Sequence, residues 1–224
     1  MKKLVVFGTG INAQCASCMF DNIDSPEYQI VAFCSDDEDE SIDSFCDREV
    51  ISTKELLDSF PPDQYFLFVA IGYHDMNSLR KEKFLYFKEK GYQFASYLPS
   101  QFRGKIFIGE NSIVYDEAIV QPFAKVGANC IVWGGALLGH HCIINDHCWI
   151  SGGASIGGCA NIKEQVFIGL DSTINESVVV GERTLVGAKA YVSKCTNPES
   201  VMIEKSTLIH RLGVSDFLKL TKFF

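Results

Sequence analysis

Two imidazoles and a thiol stand side by side at Gly139-His140-His141-Cys142. Imidazole titrates near neutral pH, so a positioned histidine can take a proton from an attacking group. A thiol beside a histidine could be a nucleophile, and His140, His141 and His147 together could hold a metal ion. Which of these chemistries applies depends on where each side chain faces, and that depends on the element that carries it.

The element repeats every six residues. From Ile108, steps of six land on Val114, Val120, Val126, Val132 and Leu138, then on nine further aliphatic residues ending at Val192. Four places after each comes a compact residue, such as Ala124, Cys130, Ala136, Cys142 or Cys148. Glycine often follows the aliphatic residue directly, as at Gly109, Gly127, Gly139, Gly157, Gly169, Gly181 and Gly187. A helix has period 3.6 and an ordinary strand period 2, so neither explains this beat. Hexapeptide repeats signal a parallel β-helix. The aliphatic residue fills the interior, the compact one fits the inner corner, and glycine is expected to permit the turn. Cys142 then occupies the inward fifth place of its hexad and reads as core. His140 is third in the same hexad and faces outward, as a general base must.

Residues 1–100 have a different pattern. Lys3 to Phe7, Gln29 to Cys34, Tyr65 to Ile71 and Tyr92 to Leu98 read as strands. Helices are expected from Gly10 to about Asn22, from Lys54 to Phe60 behind the capping spacing of Ser52 and Glu55, and from Asp75 as cap to Lys90. Alternating strands and helices predict a doubly wound parallel sheet, which binds ligands at the carboxyl ends of its strands. Three loops lie there: Gly8-Thr9-Gly10, Ser35-Asp36-Asp37 and Gly72-Tyr73-His74. The first can bring backbone N–H groups and a helix N-terminus to a phosphate, although Asn12-Ala13-Gln14 replaces the last glycine of the dinucleotide fingerprint. Pro99 to Gly104 marks the hinge into the repeat.

Composition narrows the classes. With 224 residues, 47% of them hydrophobic, the chain can hold one large or two modest domains. A net charge of −8 argues against a nucleic-acid or membrane-surface partner. The nine cysteines are an odd number, and the apolar opening Leu4 to Phe7 is too short to be a secretory or transmembrane segment. Reduced thiols in a cytoplasmic protein are expected.

A small Rossmann-like domain ahead of a hexapeptide β-helix resembles the NeuD/PglD family of bacterial sugar acyltransferases, over roughly residues 3–203. The resemblance implies an α/β parallel sheet followed by an all-β left-handed parallel β-helix of five coils, three hexads to a coil. It divides the chain into a nucleotide-sugar domain (1–101), an acyltransferase β-helix (102–197) and a C-terminal tail (198–224). It also implies a homotrimer whose active sites lie between neighbouring β-helices, with acetyl-CoA as co-substrate and no metal. His140 matches the family's general base. His141 stands where the family usually has a carboxylate, and Trp133-Gly134 replaces an Asn-Thr or Asn-Ser pair.

Residue i+18 stacks on residue i in such a coil, so His140, Gly158, Glu176 and Lys194 share an edge. Gly158 can then offer its N–H to a thioester oxygen. No histidine falls on a neighbouring coil, which weakens the metal reading. The nucleotide-linked sugar is assigned Gly8, Gly10, Asn12, Asp36 and Gly72, with Asn77 and Arg80 as the family's Asn–Arg pair and Trp133 nearby. Coenzyme A is assigned Gly157, Gly169, Gly187 and Ala188. Trp149 also belongs to this set, in place of a family histidine, and Lys189 and Lys194 could meet phosphate. The family's C-terminal Gly-x-Pro-Ala motif is absent, with Ile203-Glu204-Lys205-Ser206 in its place. The resulting expectation is an N-acetyltransferase for the amine of a UDP- or dTDP-linked amino-deoxysugar, serving surface-glycan or lipopolysaccharide synthesis. Sugar O-acetylation, or a non-catalytic trimeric scaffold, are the alternatives.

Overall fold

The computed structural model describes residues 1–21, 27–36 and 43–221. The expected helix end at Asn22 and the acidic residues Asp37 to Glu40 lie outside them. The first unit runs β1 (Lys2–Phe7), α1 (Ile11–Asp21), β2 (Tyr28–Ser35), β3 (Ser44–Phe45), β4 (Arg48–Ser52), α2 (Thr53–Ser59), β5 (Tyr65–Val69), α3 (Ser78–Glu89) and β6 (Gln93–Phe94). Its sheet has the order β3-β4-β2-β1-β5-β6 and is parallel except for the β3–β4 hairpin. Leu4, Val5 and Val6 are wholly buried because both faces of the sheet are covered. Ala13, Ala16 and Phe20 of α1 pack on one face, and Leu56, Phe84 and Phe87 of α2 and α3 pack on the other. Ser52 caps α2 as its spacing predicts, with Oγ accepting from the Glu55 N–H at 3.1 Å.

Three sequence expectations need correction. The β3–β4 hairpin was not foreseen; its turn at Cys46-Asp47 (φ 48° and 59°) lacks the usual Asn-Gly signature. The fourth predicted strand shrinks to Gln93–Phe94, after which Tyr97 leaves the sheet to bridge to Ile113 of the next unit. Asp75 does not cap α3. Asp75, Met76 and Asn77 are all left-handed (φ 45°, 51° and 67°), and the helix starts at Ser78 behind Asn77.

The second unit is the left-handed parallel β-helix. Fifteen two-residue strands, β7 (Phe107–Ile108) to β21 (Tyr191–Val192), fall on three parallel sheets. In the first four coils each pairs with the strand eighteen residues on, as in Leu138↔Ile156↔Ile174↔Val192. From Val126 to Val192 every first-place aliphatic side chain is at most 1% exposed. Burial of each stabilises by about 1.5–3 kcal/mol, which lets such short strands stack without long ladders. Ala124, Cys130, Cys142 and Cys148 fill the inner corners as expected.

The role of glycine differs from the expectation. The left-handed residue of most turns comes two places later and is seldom glycine, as at Asn129 (φ 56°), His141 (57°) and His147 (61°). The early glycine is required by close approach of the next coil. A Cβ on Gly139 would lie 2.5 Å from the Gly158 nitrogen, and one on Gly157 2.5 Å from the Glu176 nitrogen.

One face of the prism, carrying Ile113, Ile131, Trp149 and Phe167 among its strands, receives the α1 side of the first unit, so the two units share a core. A further strand, β22 (Val201–Met202), extends this docking face. The chain then leads to α4 (Val214–Thr221), beyond an exposed stretch with Leu208 and Ile209.

Candidate active site

The corner leading into the docking face is a polar seam. Asn111, Asn129, His147 and Gln165 stack at intervals of eighteen residues, all buried. The Val69 N–H donates to Asn111 Oδ1 (2.7 Å), Asn111 Nδ2 donates to Asn129 Oδ1 (2.7 Å), and Asn129 Nδ2 donates to His147 Nδ1 (2.8 Å). An accepting Nδ1 requires a neutral ring. Burial, reinforced by Lys81, holds the His147 pKa down at about 4. Gln165 Nε2 reaches the Met76 carbonyl and Lys81 donates to Gln165 Oε1, so the seam also grips the start of α3.

Arg80 completes this joint. It is fully buried and donates to the carbonyls of Gly72 (3.1 Å), Cys148 (3.2 Å) and Asn129 (3.3 Å), with its guanidinium 5.6 Å from the Trp149 ring centroid. Desolvation lowers its pKa to about 10, which still leaves it charged at neutral pH. The expectation that Asn77 and Arg80 face a nucleotide is therefore corrected. Both are fully buried: Arg80 points into the β-helix, and neither polar atom of the Asn77 side chain has a hydrogen-bond partner among the described residues. Arg80 instead ties the Gly72 loop to the prism.

The three loops at the strand ends lie around this joint. Gly8 is left-handed (φ 119°), with a Cβ position 3.3 Å from the Ala70 carbonyl. A Cβ on Gly72 would stand 2.8 Å from Asn12 Nδ2, so the loops after β1 and β5 touch. Gly10 is exposed at the start of α1 with no atom within 4 Å of its Cβ position, which leaves room for a ligand. Asp36 pairs with Lys83 of α3 at 2.7 Å; Asp37 lies outside the described residues.

From Gly72 the chain passes to Tyr73, which crosses to the β-helix and meets Trp149 (5.0 Å between centroids) and Phe167 (4.9 Å). Beneath it opens a cavity of about 600 Å³ at the corner that leaves the docking face. Tyr115, Trp133, Trp149 and Phe167 wall it, and Glu117 is its one carboxylate. Trp133 lies flat on Tyr115, 4.5 Å away at 9°. Gly169 and Ala188 also line it, while Gly187 and exposed Lys189 continue the same corner. Of the two tryptophans assigned above to the ligands, Trp149 is 4% exposed and packs against the chain's own first unit. Tyr115, Glu117 and Phe167 escaped the sequence reading, and Tyr73 entered it only as part of the loop after the third predicted strand. The eighteen-residue intervals Tyr115–Trp133 and Trp149–Phe167 were the available signal.

The third corner carries His140. Its Nδ1 lies 3.3 Å from His141 Nδ1, and the two rings meet edge to face. His141 is itself held against Phe123, with centroids 4.7 Å apart. His140 Nε2 hangs over the next coil, where a Cβ on Gly158 would be 2.6 Å from it. The Gly158 N–H has no acceptor among the described residues, whereas the equivalent His140 N–H donates to Gln121 Oε1 at 2.9 Å. A nitrogen base and an unengaged amide donor thus share one spot, an arrangement suited to moving a proton while an oxyanion forms. Gly157 and exposed Lys194 belong to this corner too.

The rival chemistries fare differently. The Cys142 thiol is wholly buried, and its pKa is pushed up to about 12 by that burial, so it cannot serve as an attacking thiolate. His147 belongs to the polar seam, a different corner from His140 and His141. The expected coenzyme A residues divide between two corners: Gly157 and Lys194 with His140, and Gly169, Gly187, Ala188 and Lys189 by the aromatic cavity.

No protein-family model and no curated protein matches the chain. Solved structures do. The acetyltransferase domain of PglB from Neisseria gonorrhoeae is 24% identical, with 89% of this chain and 94% of that one covered at a TM-score of 0.74. A mutant of perosamine N-acetyltransferase from Caulobacter crescentus, in complex with CoA and GDP-perosamine, is 18% identical over 90% and 93% at 0.77. WeeI from Acinetobacter baumannii is 20% identical over 90% and 96% at 0.71. At these identities the likeness establishes the shared fold, an α/β sheet domain docked on a left-handed β-helix.

Proposed function

We propose that this protein is an acetyl-CoA-dependent N-acyltransferase acting on the amine of a nucleotide-linked amino sugar. The observation that carries the reading is His140 Nε2 poised over Gly158 while its Nδ1 is held by His141. With the proton on His140 Nδ1 donated to His141, Nε2 keeps its lone pair. It removes a proton from the sugar ammonium as the nitrogen attacks the thioester carbon. The carbonyl oxygen gains negative charge, which the Gly158 N–H receives. Collapse breaks the C–S bond and expels the coenzyme A thiolate, which takes the second proton from the nitrogen and leaves the neutral amide. A well-placed base supplies about 10²–10⁴-fold of rate.

The nucleotide is assigned to the open loops at Gly10, Asn12 and Gly72, and the co-substrate to the β-helix. We further propose a homotrimer. His140 and the aromatic cavity occupy different corners of one prism, so a neighbour's corner is needed to unite them. Phe107, Ile119, Phe123 and Tyr191 leave apolar surface exposed on the two faces away from the docked unit. The fold relatives support the same class, since perosamine N-acetyltransferase is in complex with CoA and GDP-perosamine. GDP thus joins UDP and dTDP as a candidate nucleotide. The test is thiol release from acetyl-CoA with amino-sugar nucleotides against their hydroxyl counterparts. Release with the amines alone supports the reading, and release only with the hydroxyl compounds would replace it by O-acetylation.

A further inference from the structure

The aromatic cavity between Tyr73 and the prism is made of residues for which the proton-transfer corner has no use. Tyr73 of the docked unit borders it and the β-helix forms the rest, and its walls are mostly apolar, with Ser151 and, at an exposed position, Glu117 as side chains that can bind polar groups. Flat rings with one acid at the rim match a pyranose, which presents a C–H face to stack and polar groups to hydrogen-bond. Its position agrees. Gly72, whose Cβ position abuts Asn12 of the first glycine loop, is followed at once by Tyr73 of the cavity wall. A diphosphate at the start of α1 would therefore direct its attached sugar past Tyr73 into the cavity.

We propose that this cavity is the glycosyl subsite: the C–H face of an amino-deoxyhexose packs on the aromatic wall, and Glu117 takes its ammonium or a hydroxyl. The assignment rests on the nucleotide-sugar reading above. It gives Trp133 and Trp149 to the sugar and leaves coenzyme A to Lys189 and Lys194. Arg80 becomes a positioning residue, because it fixes both the Gly72 carbonyl and the Trp149 ring.

The chain holds two tryptophans, and both line this cavity, so intrinsic fluorescence reports its occupancy. The full-length protein is titrated with UDP-, dTDP- and GDP-linked amino-deoxyhexoses, with the matching nucleoside diphosphates, and with CoA, while calorimetry records total binding. The proposal expects one nucleotide sugar to change the fluorescence, and its diphosphate to bind in calorimetry with little optical change. Trp133→Ala should weaken the nucleotide sugar about tenfold or more while leaving the diphosphate within a few-fold, and Trp133→Phe should recover most of the loss. Glu117→Gln should weaken the amino sugar more than its hydroxyl counterpart. Two results overturn the subsite while sparing the functional reading. One is a fluorescence change driven by CoA alone; the other is a nucleotide sugar that binds no differently in Trp133→Ala. Calorimetry without binding of any nucleotide sugar overturns both.

Discussion

Gly158→Ala tests the geometry at the proposed base without replacing the base. The new Cβ would lie 2.6 Å from His140 Nε2, 2.7 Å from Cε1 and 3.1 Å from Cδ2. Ordinary contact begins near 3.4 Å, so the ring must retreat by about 0.8 Å. His140 is exposed and can swing aside, which keeps the stability cost below about 1 kcal/mol. Catalysis is less forgiving, because a misplacement near 1 Å can cost about 10²-fold. We expect kcat to fall by about that factor while the thermal midpoint and the Kd for CoA hold. The assay is steady-state thiol release with the preferred nucleotide sugar, accompanied by calorimetry for CoA. A folded Gly158→Ala protein within three-fold or so of wild-type kcat would refute the placement of the reacting atoms beside this glycine. Loss of kcat together with CoA binding would move Gly158 to the co-substrate site.

Three further outcomes follow from the joint and the loops. Arg80→Ala strands several buried carbonyls and opens space beside Trp149, so chemical denaturation should register a loss of about 3–5 kcal/mol; a change below about 1 kcal/mol would contradict its role in the joint. His147 in the folded chain resists protonation until about pH 4, whereas an unfolded histidine accepts a proton near 6.5. The unfolded state therefore takes the proton first as pH falls. The stability this ring contributes is complete above about pH 6.5 and declines toward pH 4, by roughly 2–3 kcal/mol. His147→Gln should flatten that decline in denaturation curves taken across the interval, and an unchanged slope would assign it to other groups. The Cβ of Gly10→Val has open space around it, so the side chain should stand in the nucleotide groove, raising KM for the sugar nucleotide about tenfold with acetyl-CoA unaffected; equal shifts in both constants would place the nucleotide elsewhere.

The β-helix was legible because each hexad repeats one local rule, so fifteen copies speak together for Leu138 or Ile156 pointing inward. The parallel sheet was legible from its buried runs, such as Leu4-Val5-Val6. The joint between the units was not. Arg80, assigned to the nucleotide, stands among Lys81, Glu82 and Lys83 with nothing to mark it as buried, and three left-handed residues precede the helix that turns it inward. No residue-by-residue propensity announces three such φ values in a row. Asn111, Asn129 and Gln165 likewise look like turn residues in the chain, and they become a seam only when coils stack at eighteen residues and a second unit lies against them. His140 was found from its place in the hexad and from a resemblance. The proximity of its Nε2 to Gly158 also needed the stacking period. The aromatic cavity was half read: its two tryptophans were noticed, but Tyr73 arrives from the other unit.

The central claim is amine acylation with His140 as base. Its most direct test is a mass-spectrometric search for acetylated product, with thiol release measured in parallel, from acetyl-CoA and UDP-, dTDP- and GDP-linked amino sugars. Wild type and His140→Asn are compared at saturating substrate. The account predicts an N-acetylated sugar nucleotide from wild type and a kcat lower by about 10²-fold or more in His140→Asn, with CoA binding retained. Equal turnover by the two proteins, or no acetylated amine from any of the nucleotides, would contradict it.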